Sequence, residues 1–188
     1  MKGLITAKVP ESKLSNRAIP GWMALILGFF VWLVGIPLGH GVVPWAISLL
    51  APHYGWIDGR PGIWNLLGLI PIVVGTACLI WIMVVGFAEI PESVELKLTP
   101  NHLLIRGPYT FTRNPMYVAE LGLWLGWTVF YGSLPVSIGF VALCVVVSFV
   151  VLPREERALE ARFGDTYREY KAKKIGRASC RERVYVLV

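Results

Sequence analysis

Two long runs of this chain, residues 21–52 and 62–87, contain no aspartate, glutamate, lysine or arginine. Nothing else in the sequence limits the fold so tightly. A backbone buried in lipid must satisfy every N–H and C=O internally, which leaves helices or closed barrels. A spanning helix needs about 20 apolar residues, and neither run shows the alternation of a barrel strand. Hydrophobic residues make up 55% of the 188, and the mean hydropathy is +0.60. The expectation is an all-α integral membrane protein of one domain over residues 1–173.

Within the first run, residues 21–40 read as a span that Pro37-Leu-Gly-His-Gly41 breaks or kinks. Residues 42–50 are too short to cross again. Gly41, Pro44 and Pro52 put His40 and His53 on turns near the far surface, as interfacial histidines rather than metal ligands. The second span covers residues 62–87, with Trp64 and Trp81 towards its ends as interfacial aromatics and a kink tolerated at Pro71. Two further apolar segments, 115–131 and 134–152, are joined only by Gly132-Ser133, so they form a tight antiparallel hairpin. About four spans result. Gly122 and Gly126, four apart, read as a groove for close helix packing.

Polar chemistry is confined to a few places. Residues 1–20 form a basic arm, read as a short helix on the membrane surface. Residues 88–113 form a connector broken by Pro91 and Pro100, with an extended piece at Val94-Glu-Leu-Lys-Leu98. After Pro153, Leu159, Phe163, Tyr167 and Tyr170 recur at helical spacing, which describes an amphipathic helix with Gly164 as a weak point. Its apolar stripe is expected to fold back over the connector. Of the Lys and Arg residues, four lie in the arm, three in the connector, ten after Leu152, and one in the loop near Asp58. By the positive-inside rule both termini, the connector and the C-terminal segment are then cytoplasmic. A prokaryotic inner membrane fits this plan. Residues 174–188 read as translated adapter sequence, a non-native tail, and are set aside.

Between the second and third spans stands His102-Leu-Leu-Ile-Arg-Gly-Pro-Tyr-Thr-Phe-Thr-Arg-Asn-Pro-Met-Tyr117. Gly107-Pro108 is a turn signal. Asn114-Pro115 opens a helix, with Asn a good N-cap and Pro suited to the first helical position. The free N–H groups there, with Arg113 beside them, suit a carboxylate or phosphate. Glu155-Glu156 follows some forty residues later on the same membrane face. Glu120, the only charged residue between Asn114 and Pro153, is a candidate substrate contact or a partner of Arg113. Cys78 and Cys144 lie in apolar runs, so neither disulfide nor metal site is expected. No nucleic-acid motif is present.

Gly-Pro-Tyr-x-x-x-Arg-Asn-Pro-Met-Tyr followed by Glu-Glu resembles the isoprenylcysteine carboxyl methyltransferase family over about residues 98–174, and phospholipid N-methyltransferases share the pattern. The resemblance implies an S-adenosyl-L-methionine-dependent enzyme with a cytoplasmic donor site built from residues 98–117 and 153–170, acting on a lipophilic acceptor from the bilayer. It carries donor contacts to His102, Leu103, Leu104, Ile105, Tyr109, Arg113, Asn114, Pro115, Met116, Tyr117, Glu155 and Glu156. In that arrangement Leu103, Leu104 and Ile105 line an adenine slot. Arg113, Glu155 and Arg154 are the catalytic candidates, and Glu120 and Arg154 the substrate candidates. The prenylcysteine enzymes place an arginine about a turn before the glutamate pair, where Val150, Val151 and Leu152 stand here. An isoprenylcysteine-like carboxylate is the first acceptor class, a phospholipid amine the second. A non-catalytic lipid-binding protein and a nicotinamide-dependent reductase are the other classes open.

Overall fold

The computed structural model describes residues 18–90, 92–95 and 103–172. Residues 1–17 of the basic arm, Leu96–Leu98 of the extended piece, His102 and the adapter-like tail lie outside them, and the described end of the arm, Ala18–Pro20, is a strand rather than part of a helix. Among the described residues the fold has five helical rods: α1 Gly21–Ser48, α2 Ile63–Ala88, α3 Pro115–Tyr131, α4 Leu134–Phe163 and α5 Asp165–Ala172. Three of these, α1, α2 and α4, are long and apolar enough to cross a membrane. α3, with 17 residues, is shorter but completes the hairpin with α4.

α1 is longer than the sequence suggests. Pro37 neither ends nor breaks it. Instead the rod widens into two π-helical segments, Val31–Gly35 and Leu38–Val42, which flank Pro37, a residue with no N–H to donate. His40 therefore sits within a helix rather than on a surface turn. Pro71 also needs no kink. The rod α2 has a turn at Leu67–Gly68, and Pro71 falls in the first turn after it, where its missing N–H has no helical partner to lose. α4 likewise runs on past residue 152 through a π-helical segment, Val147–Val151, and through Pro153 to Phe163.

Helices α2 and α3 pack most closely. A Cβ on Gly126 would stand 2.5 Å from Ile72 Cγ1 and 2.7 Å from the Gly68 carbonyl oxygen, and one on Gly75 would stand 2.8 Å from the Ala119 carbonyl oxygen. Leu79, Ile82, Ala119 and Leu123 form the buried core of this seam. Gly122 contributes little, its nearest neighbour being the Pro71 oxygen at 4.0 Å. The far end of the seam is pinned by buried Asn65, whose Nδ2 donates to the carbonyls of Tyr54 and Val129 at 3.1 Å each. Gly132 makes the hairpin turn in the left-handed region at φ 54°, and its carbonyl accepts from Tyr54 N.

The near end gathers the polar segments. Strand β1 (Ala18–Pro20) pairs antiparallel with β4 (Ser93–Glu95), Ile19 opposite Val94. This joins the start of α1 to the connector after α2. A second small pair, β2 (Trp56–Ile57) with β3 (Arg60–Pro61), closes the loop at the opposite end. From α4, Gly164 at φ 54° reverses the chain into α5. Leu159, Tyr167 and Tyr170 then bury themselves against Leu103 and Ile105 of the connector.

The contrast between the two glycines of α3 is testable. Gly126→Ala is expected to overpack the seam and cost about 1–3 kcal/mol, lowering the thermal unfolding midpoint in detergent. Gly122→Ala is expected to leave that midpoint unchanged.

Candidate functional site

The motif's corner is built by two short elements. A 3-10 turn, Gly107–Thr110, needs Gly107 at φ 57°, and it lays Tyr109 against the α2–α3 core. The chain then turns through Arg113 and Asn114 into α3. Asn114 makes no side-chain cap bond, so its side chain leaves the first-turn N–H groups of α3 to other acceptors.

Arg113 is the centre of the corner. Its side chain is 5% exposed, and Nη1 lies 3.1 Å from Glu156 Oε1. That contact has ion-pair distance but not hydrogen-bond geometry, and Arg113 Nε has no acceptor at all among the described residues. Lys171 of α5 reaches the other oxygen of Glu156 at 3.0 Å and Glu160 at 2.8 Å. These contacts hold the Lys171 ammonium above its ordinary range, Glu160 first among the causes. Beside this network Tyr117 donates its O–H to Glu155 Oε2 at 2.8 Å, which leaves Glu155 its other oxygen.

A cleft of about 400 Å³ opens here, lined by Arg113, Asn114, Tyr117, Glu156, Lys171 and the apolar side chains of Val118, Leu121, Val147 and Leu152. Its size suits a small-molecule ligand. The polar end carries both signs of charge; the other end is apolar. A guanidinium this deeply buried, with an unused N–H directed from the same corner as a helix start, suits a carboxylate. Glutamates beside it suit an ammonium.

Of the residues expected at the site, Arg113, Asn114, Tyr117 and Glu156 line this cleft, and Glu155 reaches its wall through Tyr117. Pro115 and Met116 are taken up by packing, Met116 on the α2–α3 core. Leu103 and Ile105 do not form a slot: they are 4% and 7% exposed and filled over by the tyrosines of α5, with half-buried Leu104 between them. Tyr109 accepts through its carbonyl from the Tyr170 O–H at 2.8 Å. Burial, then the Glu155 carboxylate, pushes the Tyr109 phenol up to about 12. Arg154 is exposed and does not line the cleft. Glu120 faces His40 rather than Arg113. Lys171 carries no signal in the sequence, because the reversal at Gly164 that returns it to Glu156 is invisible to helical spacing. Among the described residues no three His, Cys, Asp or Glu side chains form a metal-binding group.

Comparison with known proteins places the corner in context. A family profile described as phospholipid methyltransferase matches residues 63–166, from the start of α2 to just beyond Gly164. An uncharacterized protein of Haemophilus influenzae is 38% identical over 58 residues, 31% of this chain and 92% of that protein. No solved structure matches.

Two outcomes are expected from this geometry. Glu156→Gln leaves the buried Arg113 charge facing a neutral amide, at a cost of about 2–3 kcal/mol, and trypsin is expected to cut the α4–α5 tail faster. Tyr167 is pushed to about 12 from an ordinary 10, burial first and Glu156 next. A raised folded-state value means the stability is complete below pH 10 and lost as pH climbs towards 12. The unfolding midpoint is expected to fall over that window, and to fall less in Tyr167→Phe.

Proposed function

The chain belongs to the phospholipid methyltransferase family, and on that premise we propose that it transfers a methyl group from S-adenosyl-L-methionine to a lipophilic acceptor within a membrane. We read four spans, α3 being the fourth, with the cleft on the cytoplasmic side. The observation that carries the reading is the buried, incompletely bonded Arg113 in a cleft it shares with Glu156, Lys171 and Tyr117.

When bound, the donor supplies an activated methyl on a sulfonium. Its amino-acid end is a zwitterion, and the cleft has a complement for each half. Arg113 Nε and the α3 start would hold the carboxylate; Glu155 and Glu156 would accept from the ammonium. Tyr117 keeps Glu155 oriented. The packed tyrosines of α5 exclude water from the connector side. The apolar wall of Val118, Leu121, Val147 and Leu152 admits the acceptor's hydrocarbon part from the bilayer. Holding donor and acceptor in line accounts for most of the rate such a site needs.

Between the two acceptor classes, the site favours an amine over an isoprenylcysteine carboxylate. The region one turn before the glutamate pair is aliphatic, and Arg154 turns to solvent, so neither offers a carboxylate its cation. The family description points the same way.

Membranes containing the chain are expected to transfer label from methyl-labelled S-adenosyl-L-methionine into the lipid extract. Arg113→Lys is expected to raise the KM for the donor about tenfold, because an ammonium cannot replace the guanidinium fork. Glu155→Gln is expected to lower transfer by a similar factor. Alkali-stable label fits the amine acceptor; label released as methanol means a methyl ester and overturns that choice. No transfer from a folded chain overturns the enzymatic reading.

A further inference from the structure

A second polar cluster lies away from the cleft, on the α1 side of α3. Trp124 Nε1 donates to His40 Nδ1 at 3.1 Å, and Trp127 Nε1 donates to the His40 carbonyl. His40 Nε2 stands 3.7 Å from Glu120 Oε1, with side chains 16% and 14% exposed. Indole nitrogen can only donate. His40 Nδ1 is therefore the acceptor, and the ring's single proton sits on Nε2, facing Glu120. The imidazole in this arrangement is neutral. None of the ion pairs among the described residues brings a lysine or arginine to Glu120. A carboxylate among apolar helices thus faces a neutral donor at a distance too long for a hydrogen bond. Such a group is costly unless a cation completes it.

Next to it is a cavity of about 240 Å³, lined almost wholly by apolar side chains, among them Trp32, Ile36, Pro37, Leu79, Met83 and Leu123. Ile36 and Pro37 stand one turn from His40, and Leu123 one turn from Glu120. The π-helical turn carrying His40 is the irregularity that brings its ring towards α3. Glu120 and His40 do not line this cavity themselves but stand a helical turn from residues that do, and an apolar cavity a turn away from an unmatched carboxylate is complementary to an amphiphile with a positive head.

We propose that Glu120, His40 and the adjoining α1–α2–α3 cavity form a binding site for a lipophilic ammonium, its head on Glu120 and its hydrocarbon part in the cavity. The site is separate from the Arg113 cleft. It rests on α3 lying in the bilayer and does not require methyl transfer, so loss of one reading leaves the other standing.

The test is titration calorimetry of octylamine against octanol into phosphatidylcholine nanodiscs holding the chain, with empty discs subtracted. The charge-assisted bond to Glu120 is expected to make octylamine bind about tenfold or more tighter than octanol. Glu120→Gln is expected to remove that advantage while leaving octanol unchanged, and Leu123→Trp, which fills the cavity, to weaken both. Equal binding of amine and alcohol by the unaltered chain overturns the proposal, and that comparison decides the matter even if Glu120→Gln does not fold. Retention of the amine's advantage in folded Glu120→Gln overturns it as well.

Discussion

A guanidinium that is almost wholly removed from water must be matched, and the Arg113–Glu156 contact is how this fold matches one. Arg113 belongs to the connector after α2 and Glu156 to the polar end of α4. Leaving either alone would strand a buried charge, which costs far more than an exposed pair ever returns. The tail of α4 is therefore held over the connector. Once it is there, Gly164 can reverse the chain and bring Lys171 to the same carboxylate, and Tyr167 and Tyr170 can close on Leu103 and Ile105. The cleft exists because two segments that could separate are tied by charge on one side and by apolar burial on the other.

That tie works only if α3 enters the bundle at a fixed height. The glycine seam with α2 sets it. Gly68, Gly75 and Gly126 allow backbone to approach backbone, and close approach is the main source of helix affinity where the surroundings are as apolar as the side chains. Asn65 and Gly132 fix the opposite end. With the far end anchored and the seam without slack, Asn114, Pro115 and Tyr117 have one position available, and Tyr117 meets Glu155 at 2.8 Å. A loose hairpin would leave the motif present but unaligned.

The sequence reveals whatever depends on local pattern. A charge-free run marks α2 nearly to the residue, Gly132 marks the hairpin turn, and Asn114-Pro115 marks the start of α3, whereas α4 runs on to Phe163 past the end of its apolar segment. What it hides depends on partners remote in the chain. His40 looks interfacial because Pro37 and Gly41 suggest a turn; its partners, Trp124 and Trp127, lie far along the sequence, and a π-helical segment has no simple residue code. That the stripe of Leu159, Tyr167 and Tyr170 folds back on the connector can be read from sequence, but not that Leu103 and Ile105 are the residues it covers. Lys171 is hidden by the reversal at Gly164. In each case the period along one helix is visible and the register between two helices is not.

The two polar places along α3 differ in how far the protein completes them. At the corner, Arg113, Lys171, Glu156 and Glu155 offer both signs of charge within one cleft, so the protein is near neutrality there and a zwitterion can bind without leaving a net charge behind. A site for a simple phosphate would hold an excess of cations instead. On the other face, Glu120 has only neutral donors, fixed in their tautomer by Trp124, and the imbalance is negative. Tyr117 lies one turn from Glu120 and yet spends its proton on Glu155, so α3 presents a completed face to the cleft and an incomplete one to α1. A carboxyl group so placed is completed either by a proton or by a cation brought from outside. The hydrocarbon-lined cavity beside Glu120 narrows the visitor to a molecule that brings its charge on an apolar stem.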